Sequence, residues 1–260
     1  MKAIVLAAGY ATRLRPLTDS VAKPLLPLAG RPMLDYLYDK IAAVDEIDEL
    51  HVVTNSRFAA DFHRWVAERE RPLPVHVQDD GTGSNEDRLG AIGDVRFVIE
   101  RAGLAGEDLL IVAGDNLFDF DLRDLVAFWA EKKGGSVLGV HDVGDPDLMR
   151  QYSMAQLDED DRVTLMVEKP EQPTSTLAGI AVYVYSAEHA ALVHEYLAEG
   201  NSPDQPGRFA VWLSDRVPLY GYRFPGDWLD IGDREQLLDA DNRLREQAGM
   251  PRRDEYTLEK

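Results

Sequence analysis

Apolar residues follow two alternating patterns through the first half of the chain. Short apolar runs rich in β-branched residues predict buried strands at residues 2–6, 50–54, 74–78, 108–116 and 136–141. Between these runs, apolar residues recur every three or four positions, which predicts amphipathic helices. These helix residues are Leu34, Leu37, Tyr38 and Ile41, then Phe58, Phe62, Trp65 and Val66, then Leu89, Ile92, Val95 and Val98, then Leu122, Leu125, Val126 and Trp129. The alternation predicts an α/β fold with three layers, in which helices cover both faces of a mixed, mostly parallel, Rossmann-like sheet.

The second half of the chain has a different pattern. Residues 152–158, 162–169 and 179–186 predict strands with little helix between them, so antiparallel additions to the sheet are expected. A final helix is predicted from Leu237, Leu238 and Leu244, although Asp241 interrupts its apolar stripe.

The chain contains no internal repeat, low-complexity tract or linker, so residues 1–250 are predicted to form a single domain. Residues 251–260 are polar, and we expect this tail to fray. The chain has no hydrophobic run long enough for a signal peptide or a membrane span, so a cytoplasmic location without a membrane partner is expected.

Composition narrows the possible ligands. The chain has 47 acidic residues against 28 Lys and Arg, a formal net charge of -19, so it would repel nucleic acids and anionic lipids. An anionic small ligand could bind only where cations are concentrated. Cysteine is absent, which excludes disulfides, thiolate catalysis and zinc-cysteine sites.

The loop after the first predicted strand carries two such cations. Ligands of parallel sheets gather at the carboxyl ends of strands. There Gly9 lies among small alanines that allow a ligand to approach the backbone, and backbone N–H groups in such turns bind anions. Arg13 adds a guanidinium fork suited to phosphate, and Lys23 adds a compact charge. The alternative is an ordinary strand-to-helix loop whose cations are solvated. The loop matches neither the Walker motif nor the dinucleotide-binding fingerprint.

Three further stretches carry candidate chemistry. Asp115 in VAGDN follows a strand and is either a ligand for a hard cation or a helix cap. Glu168 and Lys169 in VEKP end a predicted strand, where they are either functional or simply exposed charges. Asp230 in WLDIGD has apolar neighbours and would need a partner or a metal if buried, although a turn aspartate is the alternative.

Together, LAAGYATRLRPLT, KPLLPLAGRPML, VAGDN, VEKP and WLDIGD resemble the motifs of the sugar-1-phosphate nucleotidylyltransferases, in family order from about Lys2 to Asp233. The nearest similarity is to glucose-1-phosphate thymidylyl- and uridylyltransferases. The resemblance implies the nucleotide-diphospho-sugar transferase fold, with a nucleotide-binding part at about 1–135 and a sugar-phosphate-binding part at about 136–235. It also implies Mg²⁺-dependent joining of a nucleoside triphosphate (dTTP or UTP favoured) to a sugar 1-phosphate (glucose 1-phosphate favoured), with release of pyrophosphate. Members of the family are often dimers or tetramers, so a homo-oligomer is possible.

The resemblance also implies a role for each matching residue. Arg13 and Lys23 would bind the triphosphate, Asp115 and Asp230 would hold Mg²⁺, and Lys169 would hold the sugar phosphate. The other nucleotide-binding residues would be Leu6, Ala7, Ala8, Gly9, Thr12, Gln78, Gly83 and Gly114. The other sugar-side residues would be Asn116, Ser153, Glu168 and Gly179.

Several departures from the family pattern leave the substrates open. Ala8 and Ala11 replace glycines of the usual GGxGTR motif, and Ser153 stands where glycine is usual. Gln78 lacks the proline-glycine-leucine pattern that often follows it. Two alternatives therefore remain: a cytidylyltransferase acting on a phosphorylated polyol or amino alcohol, and a non-catalytic regulatory homologue that binds nucleotide sugars.

Overall fold

Strands and helices alternate through the first half of the chain, as predicted. The structure is a computed structural model that describes residues 1–258. Its strands are β1 (Lys2–Leu6), β2 (Pro27–Leu28), β3 (Arg31–Pro32), β4 (Glu49–Thr54), β5 (Val75–Asp79), β6 (Leu109–Ala113), β7 (Asn116–Phe118), β8 (Ser136–Asp142), β9 (Ser153–Leu157), β10 (Val163–Glu168), β11 (Leu177–Tyr185), β12 (Leu219–Arg223) and β13 (Trp228–Asp230). Its α-helices are α1 (Met33–Ala42), α2 (Ala59–Ala67), α3 (Ala91–Ala102), α4 (Leu122–Glu131), α5 (Pro146–Met149), α6 (Ala187–Ala191), α7 (Val193–Ala198), α8 (Pro206–Ser214) and α9 (Arg234–Gln247).

The central sheet is mixed. Its main path runs β10-β9-β11-β6-β1-β4-β5, and β8 and β12 extend it from β11. The strands β6, β1, β4 and β5 are all parallel, whereas β11 is antiparallel to β6, β8 and β9. The expected antiparallel additions in the second half are therefore confirmed. A separate antiparallel pair, β7 and β13, lies beyond the carboxyl end of β6.

Apolar side chains fill both faces of the sheet, which confirms the three-layer α/β fold. Within β1, Ala3 and Val5 belong to the core beneath α1, α2 and α4. Ile4 belongs to the opposite core, beneath α3, α7 and α8. A parallel strand buried on both faces reads as a continuous apolar run, which explains the pattern of residues 2–6. None of the helices within residues 1–258 is both long and apolar enough to cross a bilayer.

The second half also contains helices that the sequence pattern did not predict. Among the described residues, the stretches between the three predicted strands contain no α-helix, as expected, whereas three helices, α6, α7 and α8, follow those strands between β11 and β12. The first two have 5 and 6 residues, too short to produce a clear helical period. The predicted strand at 108–116 also differs, because the chain turns at Gly114 and Asp115 and then enters β7.

The end of the chain packs against α9, unlike the frayed tail expected for 251–260. Tyr256 is buried, and its hydroxyl donates to the carbonyl of Pro27 at 2.7 Å. Asp241, which interrupts the apolar stripe of α9, is fully buried; it accepts the N–H of Ala29 at 2.7 Å and lies 3.3 Å from Nε of Arg253. This polar residue therefore joins the tail to the β2–β3 turn. Residues 259 and 260 of the predicted tail lie outside the described residues.

Candidate functional site

A cavity of about 190 Å³ opens at the carboxyl ends of β1 and β6. We call it the Arg13 cavity, and it is lined by Leu6, Ala7, Gly9, Ala11, Arg13, Lys23, Pro24, Asp115 and Gly232. The position that a Cβ of Gly9 would occupy has no atom within 4 Å. The glycine therefore leaves room for a ligand beside the backbone, as predicted for the opening loop.

Hydrogen bonds from neighbouring segments fix the loop around Gly9. Nδ2 of Asn55 donates to the carbonyl of Ala8 at 2.8 Å, and the hydroxyl of Thr18 donates to the carbonyl of Ala11 at 2.9 Å. Ala11 has a φ of 43°, in the left-handed region that favours glycine. Alanine is strained in this conformation, so at this position it is less favourable for the folded loop than the glycine of the usual motif.

Lys23 and Asp115 meet inside the Arg13 cavity. Nζ of Lys23 lies 2.6 Å from Oδ2 of Asp115. They are close because Gly114 packs tightly: a Cβ there would lie 3.0 Å from the carbonyl oxygen of Leu6 and 3.1 Å from Cγ of Pro24. Asp115 lies in the turn between β6 and β7 and caps none of the helices within residues 1–258, so the helix-cap alternative is wrong.

Asp230 completes the group of charges. It lies at the end of β13 and pairs across the strands with Asn116, the residue after Asp115. Burial raises the pKa of Asp230, and the charge of Asp115 raises it further, whereas Lys23, Arg13 and Lys169 lower it. The other four residues singled out in the sequence thus all act electrostatically on Asp230. Arg13, Lys23 and Asp115 line the Arg13 cavity, whereas Asp230 and Lys169 line neighbouring cavities of their own.

The two carboxylates are suited to a divalent cation. A cation between Asp115 and Asp230 would relieve the repulsion that raises the pKa of Asp230. Within residues 1–258, no group of three or more His, Cys, Asp or Glu side chains could hold a metal ion. Mg²⁺ usually takes one or two carboxylates and fills its remaining positions with water and phosphate oxygens, so two carboxylates fit it.

The sugar-side candidates Ser153 and Glu168 are neighbours across β9 and β10. The hydroxyl of Ser153 donates to Oε2 of Glu168. Gly207, in the first turn of α8, leaves room for this contact, because a Cβ there would overlap both Oγ of Ser153 and Oε2 of Glu168 unless those side chains moved. The chain then bends at Lys169, whose φ is 49° and whose N–H donates to the carbonyl of Tyr152 at 3.0 Å.

A Ser153→Ala variant tests the sugar-side role that the resemblance implies. It removes a hydrogen bond to a carboxylate worth roughly 1.5–3 kcal/mol, so on that role KM for a sugar phosphate is expected to rise by about tenfold or more. KM for the nucleotide should stay unchanged, since Ser153 does not line the Arg13 cavity. Steady-state kinetics with each substrate varied in turn measures both constants. An equal rise in both would contradict a role confined to the sugar side.

A second cavity of about 400 Å³ adjoins the first and shares Leu6, Gly9 and Asp115 with it. We call it the Asp94 cavity; its lining also includes Ala8, Tyr10, Asn85, Arg88, Gly90, Ala91, Asp94, Ala113, Ala181, Asp204 and Pro206. Nε and Nη2 of Arg88 lie 3.1 and 2.9 Å from the two carboxylate oxygens of Asp204. Arg88, Asp94 and Asp204 could not be singled out from the sequence, because no motif marks them in a chain so rich in charge.

Some predicted nucleotide-binding residues lie outside these two cavities. Nε2 of Gln78 lies 3.1 Å from Nδ1 of His51, beside the edge of the sheet. The N–H of Gly83 is already bonded to the carboxylate of Asp87 at 3.1 Å. Thr12 is exposed and lines neither cavity.

Two predicted sugar-side residues are built into the fold. Asn116 is buried; its Nδ2 donates to the carbonyl of Ala181 at 3.2 Å, and its Oδ1 accepts Nε1–H of Trp228 at 3.1 Å. This side chain therefore ties β7 to its neighbours. Gly179 pairs with Ser153 in the sheet, where a Cβ would lie 2.9 Å from Cδ1 of Leu138.

Known nucleotidyltransferases are similar to this chain over most of its length. A family model described as nucleotidyl transferase matches residues 2–247. A mannose-1-phosphate guanylyltransferase from Mycobacterium tuberculosis is 30% identical over 91% of this chain and 62% of its own length. The UTP–glucose-1-phosphate uridylyltransferase AglF from Haloferax volcanii is 27% identical over 95% of this chain and 98% of its own length.

A solved structure of a UDP-glucose pyrophosphorylase with UDP-glucose superposes with a TM-score of 0.77 at 20% identity, covering 95% of this chain and 98% of that one. The likeness confirms the fold. Several relatives are longer than this chain, which spans 60 to 65% of the length of three of them.

Proposed function

The chain belongs to the nucleotidyl transferase family, and we propose on that premise that it joins a nucleoside triphosphate to a sugar 1-phosphate and releases pyrophosphate. The observation that supports this most strongly is the Arg13 cavity, where Arg13 and Lys23 lie together and Nζ of Lys23 contacts Asp115 at 2.6 Å. In a protein with a net charge of -19, such a concentration of cations suits a polyphosphate ligand.

The reaction needs positioning and charge neutralisation more than proton transfer. A phosphate oxygen of the sugar 1-phosphate attacks the α-phosphorus in line, and the bond from that phosphorus to the bridging oxygen of the leaving pyrophosphate breaks. The attacking oxygen is already anionic, so no general base is needed. Arg13 and Lys23 would stabilise the charge that develops on the departing pyrophosphate, and Lys169 would hold the sugar phosphate.

Asp115 and Asp230 would hold a divalent cation, which we propose to be Mg²⁺. When bound, it would neutralise negative charge on the phosphate oxygens. The ion pair of Lys23 with Asp115 keeps a cation beside that carboxylate before metal and substrate enter.

For the substrate pair, we propose dTTP or UTP with glucose 1-phosphate, following the motifs of the thymidylyl- and uridylyltransferases. A second candidate is GTP with mannose 1-phosphate, because a relative with that name is 30% identical over 91% of this chain. The Asp94 cavity places acidic groups and one arginine beside the loop that carries Gly9, where the base of either nucleotide would lie.

A pyrophosphate-release assay tests the proposal across ATP, GTP, CTP, UTP and dTTP, each with a panel of sugar 1-phosphates, phosphorylated polyols and phosphorylated amino alcohols. We expect release with at least one sugar 1-phosphate, and only when divalent cation is present. Turnover with CTP and a non-sugar phosphate alone would favour the cytidylyltransferase alternative. Nucleotide-sugar binding without release for any pair would favour the regulatory homologue.

A further inference from the structure

Two buried carboxyl groups lie near the loop of residues 8–13 that follows β1, which we call the nucleotide loop. They are separate from the five residues of the proposed reaction. Asp80 follows β5 and is 9% exposed, and Asp94 lies in the first turn of α3 and is 5% exposed. Asp94 also lines the Asp94 cavity. Carboxylates are rarely buried to this extent without a cationic partner.

Hydrogen bonds connect Asp80 to the loop that carries Gly9. Oδ1 of Asp80 accepts both the N–H of Thr82 at 2.7 Å and its hydroxyl at 2.8 Å. The hydroxyl oxygens of Thr82 and Tyr10 lie 3.1 Å apart, and both residues are buried. Tyr10 follows Gly9 and lines the Asp94 cavity. The chain of contacts thus runs from Tyr10 through Thr82 to Asp80.

Asp80 and Asp94 satisfy each other only if one of them is protonated. Oδ2 of Asp80 and Oδ1 of Asp94 are buried, and no N–H or hydroxyl within residues 1–258 donates to either. The two side chains are neighbours close enough to interact directly, and a hydrogen bond between a carboxyl group and a carboxylate requires one proton. Burial raises the pKa of Asp94 to about 8, and the charge of Asp80 adds to this effect.

The surrounding charges do not replace that proton. Burial raises the pKa of Asp80, and the negative charge of Asp79 raises it further. Near Tyr10, burial raises the pKa of the phenol, the charge of Asp87 raises it further, and the charge of Arg57 lowers it. The remaining charged residues that line the cavity are Asp115 and the ion-paired Arg88 and Asp204.

We propose that Asp94 is a positioning residue for nucleotide binding: it shares one proton with Asp80, and that proton holds Asp80, Thr82 and Tyr10 in the arrangement that shapes the nucleotide loop. The proposal rests on the proposed function in one respect, namely that this loop binds a nucleoside triphosphate. When the proton leaves for solvent, two buried like charges face each other. Their repulsion displaces Asp80 from Thr82, and Thr82 then no longer holds the hydroxyl of Tyr10 in place.

Binding of each of the five triphosphates, with MgCl₂ and without sugar phosphate, is measured by calorimetry from pH 6.5 to pH 9.5. The result is read for the triphosphate that binds the wild type most tightly. Its Kd is expected to rise above about pH 8. If only the protonated Asp80–Asp94 pair allows nucleotide binding, the rise approaches about tenfold per pH unit, which is the limit for loss of one proton. Asp94→Asn supplies an amide N–H to Asp80 without a titrating proton. Its Kd should match the wild type at pH 7 within about twofold, and the rise above pH 8 should disappear.

Three further variants sharpen the test. Asp80→Asn supplies the mirror-image amide and should also abolish the pH dependence, which covers the case in which Asp94→Asn does not fold. Asp94→Ala leaves Oδ2 of Asp80 unsatisfied and should weaken binding at every pH. Glu86→Gln is the charge-matched control, because Glu86 is exposed on the same loop, and it should keep the wild-type profile.

Thermal unfolding gives an independent readout. The pKa of Asp94 is higher in the folded protein than the ordinary value of 3.8, so the folded state binds the extra proton, and its stability falls as pH rises from about 4 to about 8. The Tm of Asp94→Asn relative to the wild type should therefore increase across that interval.

A wild-type Kd that does not change with pH, or an identical rise in Asp94→Asn, would overturn this inference and leave the proposed function intact. Normal nucleotide binding without turnover would instead overturn the proposed function, and the pH profiles would still decide the role of Asp94. Failure of all five triphosphates to bind the wild type would overturn both.

Discussion

Replacing Asp115 with asparagine is expected to lower kcat for pyrophosphate release about a thousandfold, since removal of one preorganised group that stabilises developing charge costs roughly 10² to 10³ in kcat. Asparagine preserves the shape of the turn but removes one of the two carboxylates proposed to hold the cation. It also ends the 2.6 Å ion pair with Lys23. Steady-state kinetics at saturating substrates measures the effect, together with the Tm of each protein.

Asp45→Asn is the control for the loss of one negative charge, because Asp45 is exposed in the loop after α1. It should leave kcat and Tm unchanged. A lower Tm for Asp115→Asn with full activity per folded molecule would mean that Asp115 only stabilises the turn between β6 and β7, and its place in the reaction would be lost.

Replacing Lys23 or Arg13 with alanine is expected to lower kcat/KM for the triphosphate about a hundredfold each, because each removes a charge-assisted contact worth roughly 2–3 kcal/mol. Lys23 is largely buried against Asp115, with 11% of its side chain exposed. Its loss therefore also leaves the negative charges of Asp115 and Asp230 with less positive charge beside them. Kinetics with the triphosphate varied at saturating sugar phosphate measures this constant.

Lys133→Ala is the matched control, since Lys133 is exposed after α4, and it should behave like the wild type. Arg13→Lys keeps the charge but loses the guanidinium fork, so it should retain part of the activity. If both alanine variants raised KM for the sugar phosphate and left the triphosphate unaffected, the assignment of the Arg13 cavity to the triphosphate would be wrong.

The parts of the site that lie at strand ends could be predicted from sequence. Buried parallel strands are apolar on both faces, so β1 and β6 stand out, and the residues after them meet at one edge of the sheet. That is why Gly9 and Asp115 are found at the same cavity. Asp230 was found through its motif alone, because a three-residue strand such as β13 has no periodicity of its own.

Other parts depend on contacts that no local pattern reveals. Gln78 has the expected residue type, yet its amide is directed at His51 in the neighbouring strand. Asn116 is held by Ala181 and Trp228, which are distant in sequence. Asp80 and Asp94 look like ordinary surface acids in the sequence, and only the folded structure shows that both are buried. Tertiary burial, not residue type, decides each of these cases.

The most direct test of the central claim is to incubate the wild-type protein with Mg²⁺, one triphosphate and one sugar 1-phosphate and to identify the products by mass spectrometry. The pair is the most active one in the pyrophosphate-release assay. We expect a nucleoside diphosphate sugar and pyrophosphate in equal amounts, with neither formed when the sugar phosphate is omitted. Pyrophosphate released at the same rate without sugar phosphate, accompanied by nucleoside monophosphate, would contradict the claim and identify the protein as a triphosphate hydrolase.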